Sequence, residues 1–312
     1  MEKREIVKAA IAHRETPRTP YCISLTGEAA ERLRKELKVE DADAWLDNDV
    51  ECIGFPWWKW HELGAEWQGM LPPTTPPRVQ GFGSYEETVE RVKRISGQTG
   101  RYILATVWGS HFEKAYFARG LENFLADMGA EPEFARGLLK TIIEKNLVML
   151  DNLLSLPEID GVLLGSDWGT QRDLIMSPDI WEEMIRPGEQ REYDLIHGHA
   201  KDVWIHSCGD ITKIMSRLVD MGVDVLNPIQ PECMDIAKLK ADYGEKLTFW
   251  GGISTQKTLP YGSPEEVRRE TAQVRDLMAR GGGYILSPAQ SIQGDVPAAN
   301  LAALRDVAMQ AS

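Results

Sequence analysis

The sequence lacks the features of several large protein classes. No run of about 18 apolar residues is present, and the N-terminal stretch MEKREIVKAAIAHRE is charged, so we expect neither a membrane span nor a signal peptide. Lys and Arg number 35 against 48 Asp and Glu, a net charge of −13 with no basic stripe for phosphate groups. These absences predict a cytoplasmic protein that binds neither nucleic acid nor a membrane.

Clustered cysteines and nucleotide-binding glycines are also missing. The four cysteines are widely scattered, which in a cytoplasmic chain favours buried thiols or metal ligands over disulfides. No strand-like segment is followed by the GxGxxG turn that dinucleotide binding requires. This second absence disfavours a doubly wound open sheet, which remains the alternative to the fold inferred below.

Apolar segments that alternate with helical patterns are the main signal present. Hydrophobic residues make up 43% of the 312 residues and charged residues 27%, the composition of a globular protein. Most of the apolar segments are continuous, which is typical of parallel strands covered on both faces. The eight segments are Tyr21–Thr26, Val50–Phe55, Tyr102–Val107, Gly161–Gly165, Val203–His206, Val225–Ile229, Leu247–Trp250 and Tyr284–Leu286.

The helical patterns between these segments carry start signals. Ser84, Ser177 and Ser263 each precede such a pattern, and the last two are followed directly by Pro. Repeated βα alternation predicts an α/β fold, and eight strands favour a single (β/α)₈ TIM barrel over residues 1–312 with an N-terminal extension. Residues 56–83, with four Trp and a Pro cluster, read as an irregular insertion that acts as a lid or a contact surface.

In a (β/α)₈ barrel the active site lies at the carboxyl ends of the strands. Polar and titratable residues follow the apolar segments here and are nearly absent within them, which indicates an enzyme. The catalytic candidates are Asp167, His206 and His111. The candidates for substrate binding are Trp108, Glu113, Trp168, Asn227, Gln230 and Gln290.

His206 and Cys208 form the sharpest pair. Residues i and i+2 at a strand end share one face, so imidazole and thiolate could bind one metal ion; the alternative is a His that hydrogen-bonds substrate beside an ordinary Cys. Asp167 is either a proton donor with a pKa raised by desolvation or a loop residue that caps a helix. His111 and Glu113 point to one side unless a helix starts at Ser110, in which case they diverge.

Several segments resemble the uroporphyrinogen decarboxylase superfamily. They are RGLENFLADM, GSDWGTQRDLIMSPDIWEEMIRP, HSCGD, DVLNPIQPECMDIAKLKADYGEKLTFWGGIST and GGGYILSPAQSIQGDVPAANLAAL. The resemblance implies a (β/α)₈ barrel and either porphyrinogen decarboxylation or corrinoid-dependent methyl transfer. Decarboxylases of this superfamily carry a PxWxMRQAGR motif whose arginines hold the substrate carboxylates. The matching RTPYCISLTGEAAERL lacks both arginines, which argues against uroporphyrinogen as substrate because its carboxylates need cationic partners.

The methyltransferases that this chain resembles suggest a more specific function. In those acting on thiols, a His-x-Cys pair and a later Cys bind zinc; His206 and Cys208 match the pair, but Ala289, Gln290 and Ser291 stand where the later Cys would fall. The ending IQGDVP is similar to the branch that demethylates methoxylated aromatics. We expect methyl transfer from a small methylated donor, such as a methoxylated aromatic, to corrinoid cobalt on a partner protein, with zinc as the candidate metal.

Two other functions stay open at this point. One is porphyrinogen decarboxylation, with Asp167 contacting the pyrrole N–H groups of the substrate. The other is a non-catalytic barrel that binds a corrinoid or a methylated ligand without turnover. A corrinoid partner would need an exposed, partly apolar rim, for which Trp57, Trp58 and Trp60 are candidates.

Overall fold

The computed structural model describes residues 1–56, 58, 62–64, 66–71 and 84–311. The strands in these ranges are β1 (Val50–Gly54), β2 (Tyr102–Val107), β3 (Gly161–Gly165), β4 (Asp202–His206), β5 (Val225–Ile229), β6 (Thr248–Ile253) and β7 (Tyr284–Pro288). The α-helices are α1 (Lys3–Ile11), α2 (Gly27–Leu37), α3 (Ala42–Leu46), α4 (Tyr85–Thr99), α5 (His111–Arg119), α6 (Leu121–Ala130), α7 (Pro132–Leu154), α8 (Pro178–Ile180), α9 (Arg186–Gly198), α10 (Met215–Asp220), α11 (Ile236–Tyr243), α12 (Thr258–Tyr261), α13 (Pro264–Met278) and α14 (Ala298–Ala308). A π-helix (Trp181–Ile185) joins α8 to α9, and a 3₁₀ turn (Thr212–Ile214) precedes α10.

The chain divides into two compact units. The first unit comprises Met1–Glu51, Gly100–Tyr102 and Asp224–Ser312, and the second comprises Cys52–Thr99 and Ile103–Val223. In the first unit β5, β6 and β7 pair in parallel, and α13 packs against α14. Ser263 and Glu266 form a capping box at the start of α13, as the Ser-Pro signal predicts.

The second unit holds a parallel β2–β3–β4 arrangement. β2 pairs with β3 from Leu104 opposite Gly161 onward, and Gly165 at the end of β3 pairs with His206 at the end of β4. Nearly every residue of these strands is buried, in accordance with their continuous apolar character. Helices α5 to α7 connect β2 to β3, and α8 to α9 connect β3 to β4. The register therefore sets the segments that follow β3 and β4 side by side.

The α/β class and seven of the eight expected strands are confirmed. The expected strand Tyr21–Thr26 is wrong: within the described residues it is reduced to two isolated parallel bridges, from Tyr21 to Leu286 and from Leu25 to Ile292. Side chains replace a neighbouring strand here, because Asp49 accepts the Tyr21 N–H and Asn48 exchanges two hydrogen bonds with the Ile23 backbone. A closed eight-stranded barrel over residues 1–312 stays a prediction.

Most of the insertion 56–83 lies outside the described residues, and so do Trp57 and Trp60. Trp58 is described and is half-buried. Its indole N–H donates to Asn146 Oδ1 on α7 at 3.1 Å, and the Lys145 ammonium lies 5.4 Å from its ring centroid. A helix with the length and apolar character of a membrane span is absent from the described ranges.

Candidate active site

Asp167, His206 and Cys208 converge where β3 and β4 end. His206 is the last residue of β4, and its Nε2 lies 3.2 Å from Cys208 Sγ and 3.7 Å from Asp167 Oδ1. The Cys208 N–H donates to the same Asp167 oxygen at 2.8 Å. The convergence follows from the β3–β4 register, which places Asp167 two residues after the residue paired with His206. Imidazole, thiol and carboxylate thus share one small volume, as the sequence predicts for the first two.

The two loops that carry these side chains are fastened to each other. The Ser166 N–H donates to the His206 carbonyl at 2.8 Å, and the Trp168 N–H donates to Ser207 Oγ at 3.0 Å. Gly209 has a φ of +80°, and a Cβ placed there would lie 2.5 Å from the Thr170 carbonyl oxygen. Glycine is therefore required for the close approach of the loops, which fixes the cluster before any ligand arrives.

Trp108 forms one wall beside His206. It follows β2, its ring lies edge-on to the imidazole with centroids 4.9 Å apart, and 41% of the residue is exposed. The Asp167 side chain is 40% exposed, whereas that of His206 is only 9% exposed. An open indole and an open carboxylate therefore flank a nearly buried imidazole, an arrangement that can hold a ligand with an apolar body and a polar reacting atom.

Glu113 lies beneath Asp167. Its buried carboxyl group accepts the Asp167 N–H and the hydroxyl of Tyr116, the latter at 3.2 Å. Burial, followed by the charge of Asp167, raises the pKa of Glu113 to about 7. Burial and the neighbouring Glu113 also raise the pKa of Tyr116. The sequence search missed Tyr116, although its i+3 spacing from Glu113 on a helix was a usable signal.

His111 diverges from Glu113 because α5 begins at His111, with Ser110 as the preceding cap residue. Its ring is fully buried beside Glu189 and Glu192 of α9: Nδ1 lies 3.3 Å from Glu189 Oε1 and 4.0 Å from Glu192 Oε2. Lys114, also fully buried, has a pKa lowered to about 8 by burial, and the pKa of Glu192 is raised to about 7 by burial and then by Glu189. Sequence reasoning found neither the two carboxylates beside His111 nor the buried Lys114.

The remaining candidates have other surroundings. Trp168 was expected at the mouth, but its indole is fully buried against Trp181, with ring centroids 5.4 Å apart, so it is not open to a substrate. In the first unit, the Asn227 amide donates to the Trp250 carbonyl at 3.2 Å, and Gln230 is buried. Gln290 is exposed. The substrate-binding role of the three amides stays a prediction.

Asp167, His206 and Cys208 are suitable ligands for a metal ion. Their donor atoms all lie within 4.8 Å of one another. Zinc takes nitrogen, thiolate and carboxylate ligands, and its catalytic sites use three protein ligands with one position left open. The partial exposure of Asp167 supplies that open side, so the residues present fit a catalytic zinc ion.

Comparison with known proteins adds a family and a fold. The uroporphyrinogen decarboxylase (URO-D) family matches residues 70–310. The methylcobamide:CoM methyltransferase MtaA of Methanosarcina barkeri is 25% identical over 130 residues, which is 42% of this chain and 36% of that enzyme. The matched part thus spans well under half of that relative. A methyltransferase structure from Methanosarcina mazei has 17% identity and a TM-score of 0.71 over 98% of both chains, which shows a shared fold.

Proposed function

The chain belongs to the uroporphyrinogen decarboxylase family, and we propose that it is the methyltransferase kind of member, moving a methyl group between a small substrate and the cobalt of a corrinoid protein. The observation that carries the proposal is the convergence of Asp167, His206 and Cys208 at one open strand end. The M. barkeri relative is named a methylcobamide:CoM methyltransferase, which supports the same class of reaction.

Decarboxylation of a polycarboxylated tetrapyrrole is less well supported. The exposed charge beside His206 is the carboxylate of Asp167, which would repel the acidic arms of such a substrate. The arginines that hold those arms in the decarboxylases are missing from the N-terminal region of this sequence. Methyl transfer from a donor with few or no charges avoids both difficulties.

Asp167, His206 and Cys208 would hold a zinc ion in this proposal. Asp167 then takes the ligand position that a later Cys occupies in the thiol methyltransferases that the sequence resembles. When bound, the ion supplies Lewis acidity that polarises the heteroatom carrying the methyl group. The Cys208 N–H bond to Asp167 orients the carboxylate, and the fastened loops keep the three donor atoms together.

We assign the donor as a small methyl ether with an aromatic body. Trp108 offers an exposed indole face beside His206, which suits an apolar ring. In the transfer, the methyl–oxygen bond breaks, the oxygen keeps the electron pair, and the Co(I) centre supplies the pair for the new bond to carbon. The leaving oxygen then takes up a proton from water, which can reach it on the partly exposed side of the cluster beside Asp167.

The test mixes zinc-loaded protein with a reduced corrinoid carrier and a panel of methoxylated aromatics, and follows the cobalt absorption spectrum. We expect conversion of the Co(I) spectrum to that of methyl-cobalt with at least one donor, and its loss in Cys208→Ser. Cys233→Ser is the matched control, because it makes the same change in the first unit.

A second arm gives methylated corrinoid and a panel of thiols to the same enzyme. Activity only in this arm would show that the small substrate is a thiol that accepts the methyl group, not an ether that donates it. The proposed methyl transfer involving a corrinoid would still hold. An unchanged cobalt spectrum in both arms, or equal loss in Cys208→Ser and Cys233→Ser, would contradict the proposed function. Release of carbon dioxide from uroporphyrinogen under anaerobic conditions would favour the decarboxylase alternative.

A further inference from the structure

We propose that His111, Glu189 and Glu192 form a second zinc site, buried between α5 and α9 and separate from the cluster at Asp167. The three residues lie entirely within the second unit and are all buried. On α5, His111 lies three residues before Lys114. On α9, Glu189 lies three residues before Glu192. Residues at this spacing share one helix face, so both pairs meet across the helix contact.

The distances fit ligands of one ion better than hydrogen bonds. His111 Nδ1 and Glu189 Oε1 are 3.3 Å apart but do not form a hydrogen bond. Two atoms bound about 2.0–2.1 Å from one zinc ion at a tetrahedral angle lie about 3.3–3.4 Å apart. Glu192 Oε2 lies 4.0 Å from the same nitrogen, and donor atoms of all three residues lie within 4.8 Å of one another.

Two of the polar atoms that face this volume have no hydrogen-bond partner among the described residues. They are His111 Nδ1, which lies 3.3 Å from Glu189 Oε1, and Glu192 Oε2, which lies 4.0 Å from Nδ1, and both are buried. A buried polar atom without a partner costs about 1–3 kcal/mol, and more when it is charged. Two such atoms beside a third possible donor, Glu189 Oε1, indicate a bound group that satisfies them.

One oxygen of each carboxylate is held by the surrounding protein; for Glu189 it is the same oxygen that approaches His111, and for Glu192 it is the other one. Ser110 Oγ donates to Glu189 Oε1 at 2.5 Å, and Asn146 Nδ2 donates to Glu192 Oε1 at 2.9 Å. Asn146 is itself fixed by the Trp58 indole N–H at 3.1 Å. Hydrogen bonds to the ligand residues are the usual support of a metal site, since they fix the orientation of each donor.

The charge of the cluster leaves a place for one more cation. Lys114 lies among the carboxylates and donates to the Gly109 carbonyl, so it offsets one of the two acids. Neither ring nitrogen of His111 makes a hydrogen bond within the described residues. A metal ion bound by His111 would balance the second acid and would satisfy Glu192 Oε2 as well.

A surface pocket lies beside the site. It has a volume of about 350 Å³, and its lining includes His111, Leu139, Ile143, Met184, Pro187 and Gly188. Gly188 lies against the imidazole, where a Cβ would come within 2.7 Å of His111 Nε2. The pocket thus reaches the Nε2 edge of the imidazole, whereas Nδ1, on the other side of the ring, faces the two carboxylates.

Zinc analysis of variants tests the proposal. Protein stripped with a chelator is loaded with Zn²⁺, dialysed and analysed for metal by mass spectrometry. We expect two zinc ions per wild-type chain, one in His111→Gln and one in Glu192→Gln. Glu183→Gln, which removes a carboxylate from the lining of the same pocket, should keep both. Cys208→Ser removes the other ion, and Cys208→Ser/His111→Gln should bind none.

Cobalt substitution identifies which site is filled. Co²⁺ bound by a thiolate gives an intense near-ultraviolet charge-transfer band that nitrogen and oxygen donors do not. Protein carrying Cys208→Ser should therefore keep the visible absorption of bound cobalt but lack the charge-transfer band. Adding His111→Gln to this variant should remove the visible absorption as well. If the site at Cys208 binds no metal, wild type holds one zinc ion that only the His111 and Glu192 variants lose. The proposal would be overturned if His111→Gln and Glu192→Gln both kept the zinc content of wild type. It would also be overturned if Cys208→Ser alone removed all of the zinc.

Discussion

Two clusters in the second unit contain similar donor atoms in opposite surroundings. Asp167, His206 and Cys208 sit on loops after strands, with Asp167 and the adjacent Trp108 open to solvent. His111, Glu189 and Glu192 sit on two helices and are fully enclosed. A strand-end cluster can change its ligands during a reaction, whereas a sealed helix cluster contributes mainly to stability. The same residue types thus contribute to catalysis or to stability according to where the fold places them.

His206→Ala sharpens this comparison most strongly. Removing the imidazole takes away the central donor of the open cluster, so we expect methyl transfer to fall about 10³-fold. The free energy of unfolding should change little, because the two loops are joined by backbone bonds and by Ser207 rather than by the ring. Stopped-flow cobalt spectroscopy and urea unfolding measure the two quantities. Equal effects on both would show that the open cluster is structural.

Glu192→Leu makes the converse change in the sealed cluster. Glu192 is the main electrostatic partner that keeps the buried Lys114 charged. Leaving that ammonium without its partner should lower the free energy of unfolding by about 3–5 kcal/mol. The control Glu183→Gln changes a carboxylate that is 61% exposed and should stay within about 0.5 kcal/mol of wild type. A similar small change in Glu192→Leu would contradict the idea that this cluster stabilises the fold.

Gly209→Ala tests whether the open cluster depends on its two fastened loops. The new Cβ would meet the Thr170 carbonyl oxygen at 2.5 Å in a backbone with φ of +80°. We expect a loss of about 1–3 kcal/mol in stability together with a drop in activity. Gly97→Ala in α4 is the matched control, because a Cβ there meets nothing within 4 Å; it should stabilise the protein by up to about 1 kcal/mol. Unchanged activity in Gly209→Ala would show that the site does not depend on the close contact between the two loops.

The sequence predicts the open cluster better than the sealed one for a physical reason. Strand ends are local signals, and the i, i+2 spacing of His206 and Cys208 places both on one side without any long-range information. The neighbourhood of Asp167 then follows from strand register alone. By contrast, Glu189 and Glu192 look like ordinary solvent-facing charges of a polar helix. Their burial depends on packing against α7 and on the approach of His111 from α5, which the local pattern does not encode.

Side chains that take the place of a neighbouring strand explain why residues 21–26 do not form the predicted strand. Residues 21–26 have the composition of a strand, but Asn48 and Asp49 occupy the hydrogen-bonding positions that a neighbouring backbone would fill. Because these hydrogen bonds come from side chains outside the segment, the apolar pattern of residues 21–26 does not reveal them. Trp168 is a related case, since an indole after a strand end looks available to a substrate until the position of Trp181 is known.

Trp108→Ala gives a smaller and more selective effect. The indole contacts His206 edge-on and is largely open, so its loss should raise the KM for an aromatic donor about tenfold and leave kcat within a few-fold. Trp108→Phe keeps an aromatic wall and should restore most of the affinity. Steady-state kinetics with an aromatic and an aliphatic methyl ether separate the cases. An equal effect on both donors would argue that Trp108 supports His206 rather than the substrate.

The smallest expected effect concerns His13 in the first unit, far in sequence from both clusters. Burial lowers the pKa of His13 below its ordinary value of 6.5, although its Nδ1 lies 3.1 Å from the Gly244 carbonyl, a contact that favours protonation. The unfolded chain therefore takes up a proton more readily than the folded one, so this contribution to stability is complete above pH 6.5 and is lost as the pH falls through the folded pKa. His13→Asn, which also tolerates the φ of +52°, should flatten the decline of unfolding free energy between pH 7 and 5. A steeper decline in the variant would mean that the Gly244 contact outweighs burial, and it would reverse the sign of this contribution.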